Sequence, residues 1–356
     1  MYHVIGMMSG TSLDGTDLAY CTFTRDHTAW KYTLGPAETF PCPPAWEDRL
    51  RHLPGQDAWN FCKTDVDYGH YIGKLIRGFI EKHHLNPGLI ASHGHTVFHR
   101  PDIGVTCQIG SGAAISAETH LPVVSDFRSL DVALGGQGAP LVPIGDKLLF
   151  GDYFYCLNLG GFANISFDDE GKRTAFDICP VNIILNSLAG RLGLRYDQNG
   201  DHAREGKVLT GLLNRLDSLD YYAKLPPKSL GREWLTDYFI PLIDQHAATA
   251  PVPDLLRTVV EHIARQVAAV IRTKEESILV TGGGAYNEFL LARIQALLPH
   301  NRLHRPDPLL VEFKEALVFA FLGVLRIRNE ANCLASVTGA GKDNAGGALF
   351  GRISRE

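Results

Sequence analysis

The chain has 356 residues, enough for about two domains with cores of their own. A formal net charge of −5 gives no reason to expect a nucleic-acid or anionic-membrane surface, and no run is long and apolar enough to span a bilayer. The seven cysteines are scattered from Cys21 to Cys333 without a C-x-x-C pair, so they read as reduced thiols; with no basic and apolar leader at the start, the expected compartment is the cytoplasm.

The first informative stretch is an apolar run, Val4-Ile5-Gly6-Met7-Met8, that enters a tight polar turn and leaves as a second apolar run, Leu18-Ala19-Tyr20-Cys21. The turn holds Gly10, Thr11, Ser12, Leu13, Asp14, Gly15, Thr16 and Asp17. Glycines let the backbone approach a ligand, and successive N–H groups with two hydroxyls can cradle a phosphate. Asp14 and Asp17 would repel that phosphate unless a cation such as Mg²⁺ lay between. An ordinary polar hairpin is the competing reading. There is no G-x-x-x-x-G-K-[ST] and no G-x-G-x-x-G helix start, so neither a P-loop nor a dinucleotide fold is indicated.

After further strand material and the proline-rich Pro41-Cys42-Pro43-Pro44, apolar residues at helical spacing predict a helix over 65–84. A short strand, Leu89-Ile90-Ala91-Ser92, then delivers His93-Gly94-His95-Thr96 to a loop. Polar contact with a ligand, plain loop capping and an H-x-H metal pair are the readings, in that order. Residues 105–125 read as strand, helix and strand. Arg128 follows, placed to grip a carboxylate or phosphate, or to pair with Asp126 or Asp131. The glycine cluster Leu134-Gly135-Gly136-Gln137-Gly138, closed by Pro140 and Pro143, suits a domain crossing near 134.

The second half repeats the opening device. The strand 154–159 enters Gly160-Gly161-Phe162-Ala163-Asn164 and leaves as Ile165-Ser166-Phe167, which suggests two similar domains facing each other across a cleft. A further strand ends at Asp177, with Pro180 suited to the first turn of the next helix. Asp177 can then be a base at the cleft or simply the cap of that helix. Residues 195–235 are polar and irregular, as in stretches that shape a pocket or an interface. A helix over 254–272 precedes the buried strand 277–281, which runs into Gly282, Gly283 and Gly284. There the backbone can approach an adenosine or a phosphate, or merely pack strand against helix. In the apolar helix over 313–328, Glu315 is awkward as a core residue and more natural facing a cleft.

Taken together and in order, the stretches 6–17, 92–96, 126–143, 157–164, Pro226-Pro227-Lys228-Ser229, 282–285 and Lys314-Glu315-Ala316 resemble the anhydro-N-acetylmuramic acid kinases across nearly the whole chain. The resemblance implies an α/β, two-domain, actin-like and ribonuclease H-like ATPase fold with an interdomain cleft. The implied domains are 1–134 plus about 335–356, carrying the phosphate loop, and 135–334, carrying the catalytic aspartate and the adenosine-side glycines. It implies ATP with Mg²⁺ riding on it, no metal site of the protein's own, no nucleic-acid or membrane partner, and a homodimer. It further implies ring opening of 1,6-anhydro-N-acetylmuramic acid with phosphorylation of O6, giving N-acetylmuramic acid 6-phosphate in cell-wall recycling.

By the same resemblance Asp177 is the catalytic base, and the 10–17 turn, Gly160, Gly161, Asn164, Gly282, Gly283 and Gly284 hold ATP. His95, Thr96, Arg128 and Glu315 hold the sugar, Arg128 on its lactyl carboxylate. One segment departs from the family pattern. Where the family reads Asp-Thr-Gly-Pro-Gly-Asn, this chain has Asp177-Ile178-Cys179-Pro180-Val181-Asn182, and Asn186 replaces an aspartate. Side-chain bulk from Cys179 and Val181 is therefore expected beside the base and the ligand, with reduced activity. A binding relative without turnover or with a drifted substrate, and a histidine–metal hydrolase, are the alternatives.

Overall fold

In the computed structural model the described residues are 1–10, 13, 15–247 and 249–353. The chain divides into two compact units: Met1–Leu149 with Phe313–Glu356, and Phe150–Glu312. The crossing thus lies beyond the glycine cluster at 134, because the helix Val142–Leu149 belongs to the first unit. Gly145 there packs so closely on Val318 that an added Cβ would lie 2.7 Å from Val318 Cγ2. The return crossing lies at 312/313, before the expected 334, inside the helix Pro308–Ile327. Phe313 in that helix has non-helical angles, φ −109° and ψ 15°.

The first unit is built on a six-stranded sheet of β1 (Tyr2–Ser9), β2 (Gly15–Asp26), β3 (Ala29–Pro41), β4 (Leu89–Ser92), β7 (Val123–Ser125) and β13 (Ala348–Phe350), in the order β13-β7-β4-β1-β2-β3. A separate hairpin pairs β5 (His95–Arg100) with β6 (Val105–Ile109). The segment after Ser92, expected as loop, is therefore largely strand. β2 runs antiparallel to β1 and β3, whereas β4 runs parallel to β1 and β7 parallel to β4. The helix Ala58–His83, longer than the spacing predicts, buries Tyr68, Ile72, Ile76 and Phe79 in a core with Ile5, Met7, Leu18 and Ile90. Asp57 caps its start by accepting from the Asn60 N–H.

β1 meets the helix Pro308–Ile327 at Gly6, where a Cβ would fall 1.9 Å from the Ala316 carbonyl oxygen, so only glycine fits. The C-terminal segment returns to this unit, β13 pairing antiparallel with β7.

The second unit contains β8 (Tyr155–Leu159), β9 (Phe162–Asp169), β10 (Lys172–Pro180), β11 (Ser277–Thr281) and β12 (Arg302–His304), ordered β10-β9-β8-β11-β12. Again the first three strands form an antiparallel meander, and the last two lie parallel to the first. The first unit repeats this order and these directions in β3-β2-β1-β4-β7. This is the duplicated ribonuclease H-like topology. Alternate strand positions Leu157, Leu159, Ala163, Ile165, Ile278 and Val280 form a core with the helix Val252–Val270, whose Leu256, Val260, Ile263 and Val267 are fully buried.

Candidate active site

In the second unit the ladder pairings put Thr281 beside Asn158, Asn158 beside Asn164, and Asn164 beside Asp177. Paired residues on neighbouring strands share a face, so these polar side chains form one row across β11, β8, β9 and β10. Immediately after Asp177 the register slips, since Asn164 opposes Asp177 while Ala163 opposes Cys179. The resulting bulge at Ile178 lets Asp177 keep the polar face while Ile178 and Cys179 are buried.

Asp177 lies within β10 and does not cap the helix Asn182–Gly190; the cap position is Val181, which makes no side-chain cap bond. Pro180 likewise ends the strand and does not begin the helix. The first helical amides are satisfied by the glycine turn: Val181 N–H donates to Gly161 O at 2.8 Å and Asn182 N–H to Gly160 O at 3.2 Å.

Asp177 is tethered on three sides by the irregular 195–235 stretch. Leu230 N–H donates to Oδ2 at 2.9 Å, the Tyr221 hydroxyl donates to the Asp177 carbonyl at 2.7 Å, and the Asp177 N–H donates to Lys228 O at 3.3 Å. Oδ1 has no protein hydrogen bond among the described residues. Partial burial pushes the carboxyl above the ordinary aspartate range, and the Leu230 N–H pulls it back. A carboxylate with one oxygen fixed and the other open, and with raised basicity, can take a proton from water.

The altered neighbours of Asp177 point away from it. Cys179 and Val181 are fully buried members of the main core, beside Ile184, Leu185 and Leu188. The bulk expected beside the ligand is thus spent on packing. Asn186 is exposed on the helix that follows.

The three glycines after β11 divide between the two readings of that turn. Gly282 has φ 80°, and a Cβ there would meet Asn158 Oδ1 at 2.5 Å; one at Gly284 would meet Leu159 Cβ at 2.7 Å. These two serve close packing. Gly283 is exposed, its nearest neighbour being Asn182 Nδ2 at 3.5 Å from an added Cβ, and Gly161 is exposed and open in the same way. Asn182 Nδ2 donates to Leu159 O at 3.0 Å, linking the two glycine turns.

In the first unit the β1–β2 turn places Gly10, Leu13, Gly15, Thr16 and Asp17, whereas Thr11, Ser12 and Asp14 lie outside the described residues. Gly15 packs against the β3 backbone, a Cβ there lying 2.8 Å from Phe40 O, and Asp17 accepts from the Thr39 hydroxyl at 2.6 Å. Leu13 takes a left-handed φ of 60°.

Arg128 pairs with neither Asp126 nor Asp131. Asp126 accepts from the Ser129 hydroxyl at 2.6 Å. Asp131, fully buried, accepts from Gly138 N–H, Cys333 Sγ, Thr338 Oγ1 and Asn344 Nδ2 at 2.7–3.0 Å. Arg128 instead donates through Nε (3.2 Å) and Nη2 (2.8 Å) to His93 Nε2, and through Nη1 to Gly138 O at 2.7 Å. Because arginine only donates, His93 Nε2 is the acceptor and its Nδ1 carries the proton, which it gives to Gly94 O at 2.9 Å. Burial and then the Arg128 charge push the His93 pKa down to about 3, which keeps the ring neutral. Burial pulls Arg128 down to about 10, against the opposing effect of Glu315.

Glu315 is exposed between the buried Lys314 and Ala316. Although part of the side chain reaches solvent, crowding of its carboxylate by surrounding protein and then Asp17 raise its pKa, against Arg128 and Lys314. Those mutual fields bring Asp17, Arg128 and Glu315 into one neighbourhood. His95 is buried, its Nδ1 has no hydrogen-bond partner among the described residues, and its pKa is lowered by burial against a backbone contact with Gly10. Thr96 Oγ1 accepts from Gln108 Nε2 at 3.4 Å. Among the described residues no group of three or more His, Cys, Asp or Glu side chains is placed to hold a metal ion, so the H-x-H reading finds no companions. Sequence reasoning passed over Tyr221 and Leu230, and gave neither His93 nor Asp131 the role seen here. His93 was visible inside its motif, but the Leu230 tether is a backbone group and left no signal.

The two units share one strand order and each has a glycine turn after its first strand, so the chain has a duplicated ribonuclease H-like, actin-like α/β fold. The model of the family described as anhydro-N-acetylmuramic acid kinase matches residues 2–352. Curated kinases of that name from Acinetobacter baylyi and Pasteurella multocida are each 35% identical, the alignments covering 98% of this chain and 98% and 97% of those proteins. The one from Variovorax paradoxus is 36% identical with 98% of both chains covered. Among solved structures, the (R)-2-hydroxyglutaryl-CoA dehydratase component A of Acidaminococcus fermentans aligns at a TM-score of 0.47 and 10% identity, over 91% of this chain and 98% of that one. The chain belongs to the anhydro-N-acetylmuramic acid kinase family, and it is an enzyme of that kind.

Proposed function

We propose that this kinase opens the 1,6-anhydro ring of anhydro-N-acetylmuramic acid with water and phosphorylates O6, giving N-acetylmuramic acid 6-phosphate and ADP. The observation that carries the reading is Asp177, with Oδ2 held by Leu230 N–H, Oδ1 open and a raised pKa. An anhydro sugar has no free 6-hydroxyl, so its ring must open as phosphate is transferred. Asp177 takes a proton from water as the water oxygen bonds to C1. The C1–O6 bond breaks, and O6 bonds to the γ-phosphorus in place of the general acid of an inverting glycosidase. ATP supplies that electrophile, and ADP is the leaving group.

The residues present suit a nucleotide. Gly283 and Gly161 are open backbone above turns packed firmly from below, as a flat base or a phosphate needs. Gly160 and Asn164 complete that contribution, while Gly282 and Gly284 set the turn by packing beneath it. The 10–17 turn is assigned to the phosphates, and Asp17, half-exposed, suits the hard cation that accompanies ATP. Arg128 takes the lactyl carboxylate, with Thr96, His95 and Glu315 on the sugar.

Mixing the protein with MgATP and the anhydro sugar should give ADP and a phosphorylated sugar in equal amounts. Asp177→Asn should lower kcat by about 10²- to 10⁴-fold, the usual share of a general base. An Asp177→Asn enzyme retaining wild-type kcat would remove Asp177 from the reaction.

A further inference from the structure

A guanidinium has five N–H donors, arranged as a lateral edge of Nε and Nη2, an end-on edge of Nη1 and Nη2, and one inner N–H on Nη1. In Arg128 the lateral edge is taken entirely by His93 Nε2, and Nη1 is engaged by Gly138 O. Among the described residues that leaves one N–H on Nη1 and one on Nη2, a pair that grips a carboxylate in bidentate fashion where Gly138 O takes the inner Nη1 hydrogen.

Both partners are themselves fixed. His93 is buried, its N–H donates to Met7 O at 3.0 Å, its Nδ1–H is committed to Gly94 O, and its ring lies 4.7 Å from that of Phe319. Gly138 N–H donates to the buried Asp131. The brace therefore joins β4, the glycine cluster and the C-terminal segment around one side chain.

We propose that His93 is a positioning residue that occupies the lateral edge of Arg128 and so presents only the end-on edge to the carboxylate of the sugar. The proposal rests on Arg128 binding that carboxylate, as assigned above. His93 touches no substrate. It acts by removing the guanidinium's freedom to rotate and to offer another edge, which sharpens the choice for a sugar bearing a carboxylate over one without.

The test compares 1,6-anhydro-N-acetylmuramic acid with 1,6-anhydro-N-acetylglucosamine, the same sugar without the lactyl ether. Dissociation constants come from calorimetry, and kcat/KM where turnover is measurable. His93→Phe keeps a ring against Phe319 but removes the acceptor, His93→Leu removes both ring and acceptor, and His93→Gln keeps a side-chain acceptor without the ring. The expected result is a loss of about 10- to 100-fold in affinity for the muramic sugar in His93→Phe and His93→Leu, the range for a hydrogen bond to a charged group. The change for the glucosamine sugar should be under about twofold, with recovery in His93→Gln. Arg128→Ala should erase the discrimination, and adding His93→Phe to it should change nothing further.

Equal losses for both sugars, or discrimination intact in both acceptor-less variants while Arg128→Ala abolishes it, would overturn the positioning role and leave the Arg128 assignment standing. Discrimination intact in Arg128→Ala would overturn both.

Discussion

The replaced glycines beside Asp177 give the sharpest quantitative prediction. Were Val181 and Cys179 crowding a ligand, Val181→Gly would raise kcat. Both side chains are instead fully buried in the main core of the second unit. Val181→Gly deletes three buried carbons, about 2.5 kcal/mol at about 0.8 kcal/mol each. It also adds about 0.5–1 kcal/mol of backbone entropy cost. The expected loss is thus about 3 kcal/mol, or about 5 kcal/mol with Cys179→Gly, out of a typical domain stability of about 5–15 kcal/mol. At about 2–4 °C per kcal/mol, Val181→Gly should lower Tm by about 6–12 °C. The assay is differential scanning calorimetry together with ADP release at a temperature where both proteins are folded. A severalfold rise in kcat with an unchanged Tm would refute the core placement and restore the crowding explanation.

The remaining predictions concern the site's electrostatics and packing. Asp177 must be ionised to accept a proton, so kcat/KM should fall on the acid side through a pKa above the ordinary aspartate range; Leu230→Pro, which deletes the N–H that favours the ionised form, should move that limb to higher pH. A limb that stays put in Leu230→Pro would argue against that hydrogen bond. Asp131→Ala strands Gly138 N–H and three side-chain donors in a buried place, and should cost about 3–5 kcal/mol in urea unfolding. Gly6→Ala drives a Cβ into the Ala316 carbonyl and should cost about 3 kcal/mol, measured the same way.

Much of the fold was legible because its signals are local. The apolar runs around 4–8, 154–159 and 277–281 are strands, and the glycines that interrupt them mark turns. The repetition of strand, glycine turn and strand corresponds to a real duplication of strand order. Boundaries were less legible where long-range packing decided them. The helix Val142–Leu149 joins the first unit through Gly145 and Val318, a contact that no local pattern announces. Pro180 suited a helix start by propensity, yet its ladder pairing with Phe162 keeps it in β10. The bulge at Ile178 was equally hidden, although it decides that Asp177 faces the polar row while Cys179 faces the core. His93 lay in a conspicuous motif, but its role depends on Arg128, which is distant in sequence and adjacent in space.

The most direct test is mass spectrometry of the product formed from MgATP and 1,6-anhydro-N-acetylmuramic acid in ¹⁸O water. Ring opening by an Asp177-activated water predicts a sugar 6-phosphate carrying ¹⁸O at C1 and none in the phosphoryl group, and almost no product from Asp177→Asn. A product labelled in the phosphoryl group, or an unlabelled phosphorylated sugar with its anhydro ring intact, would contradict coupled hydrolysis and transfer.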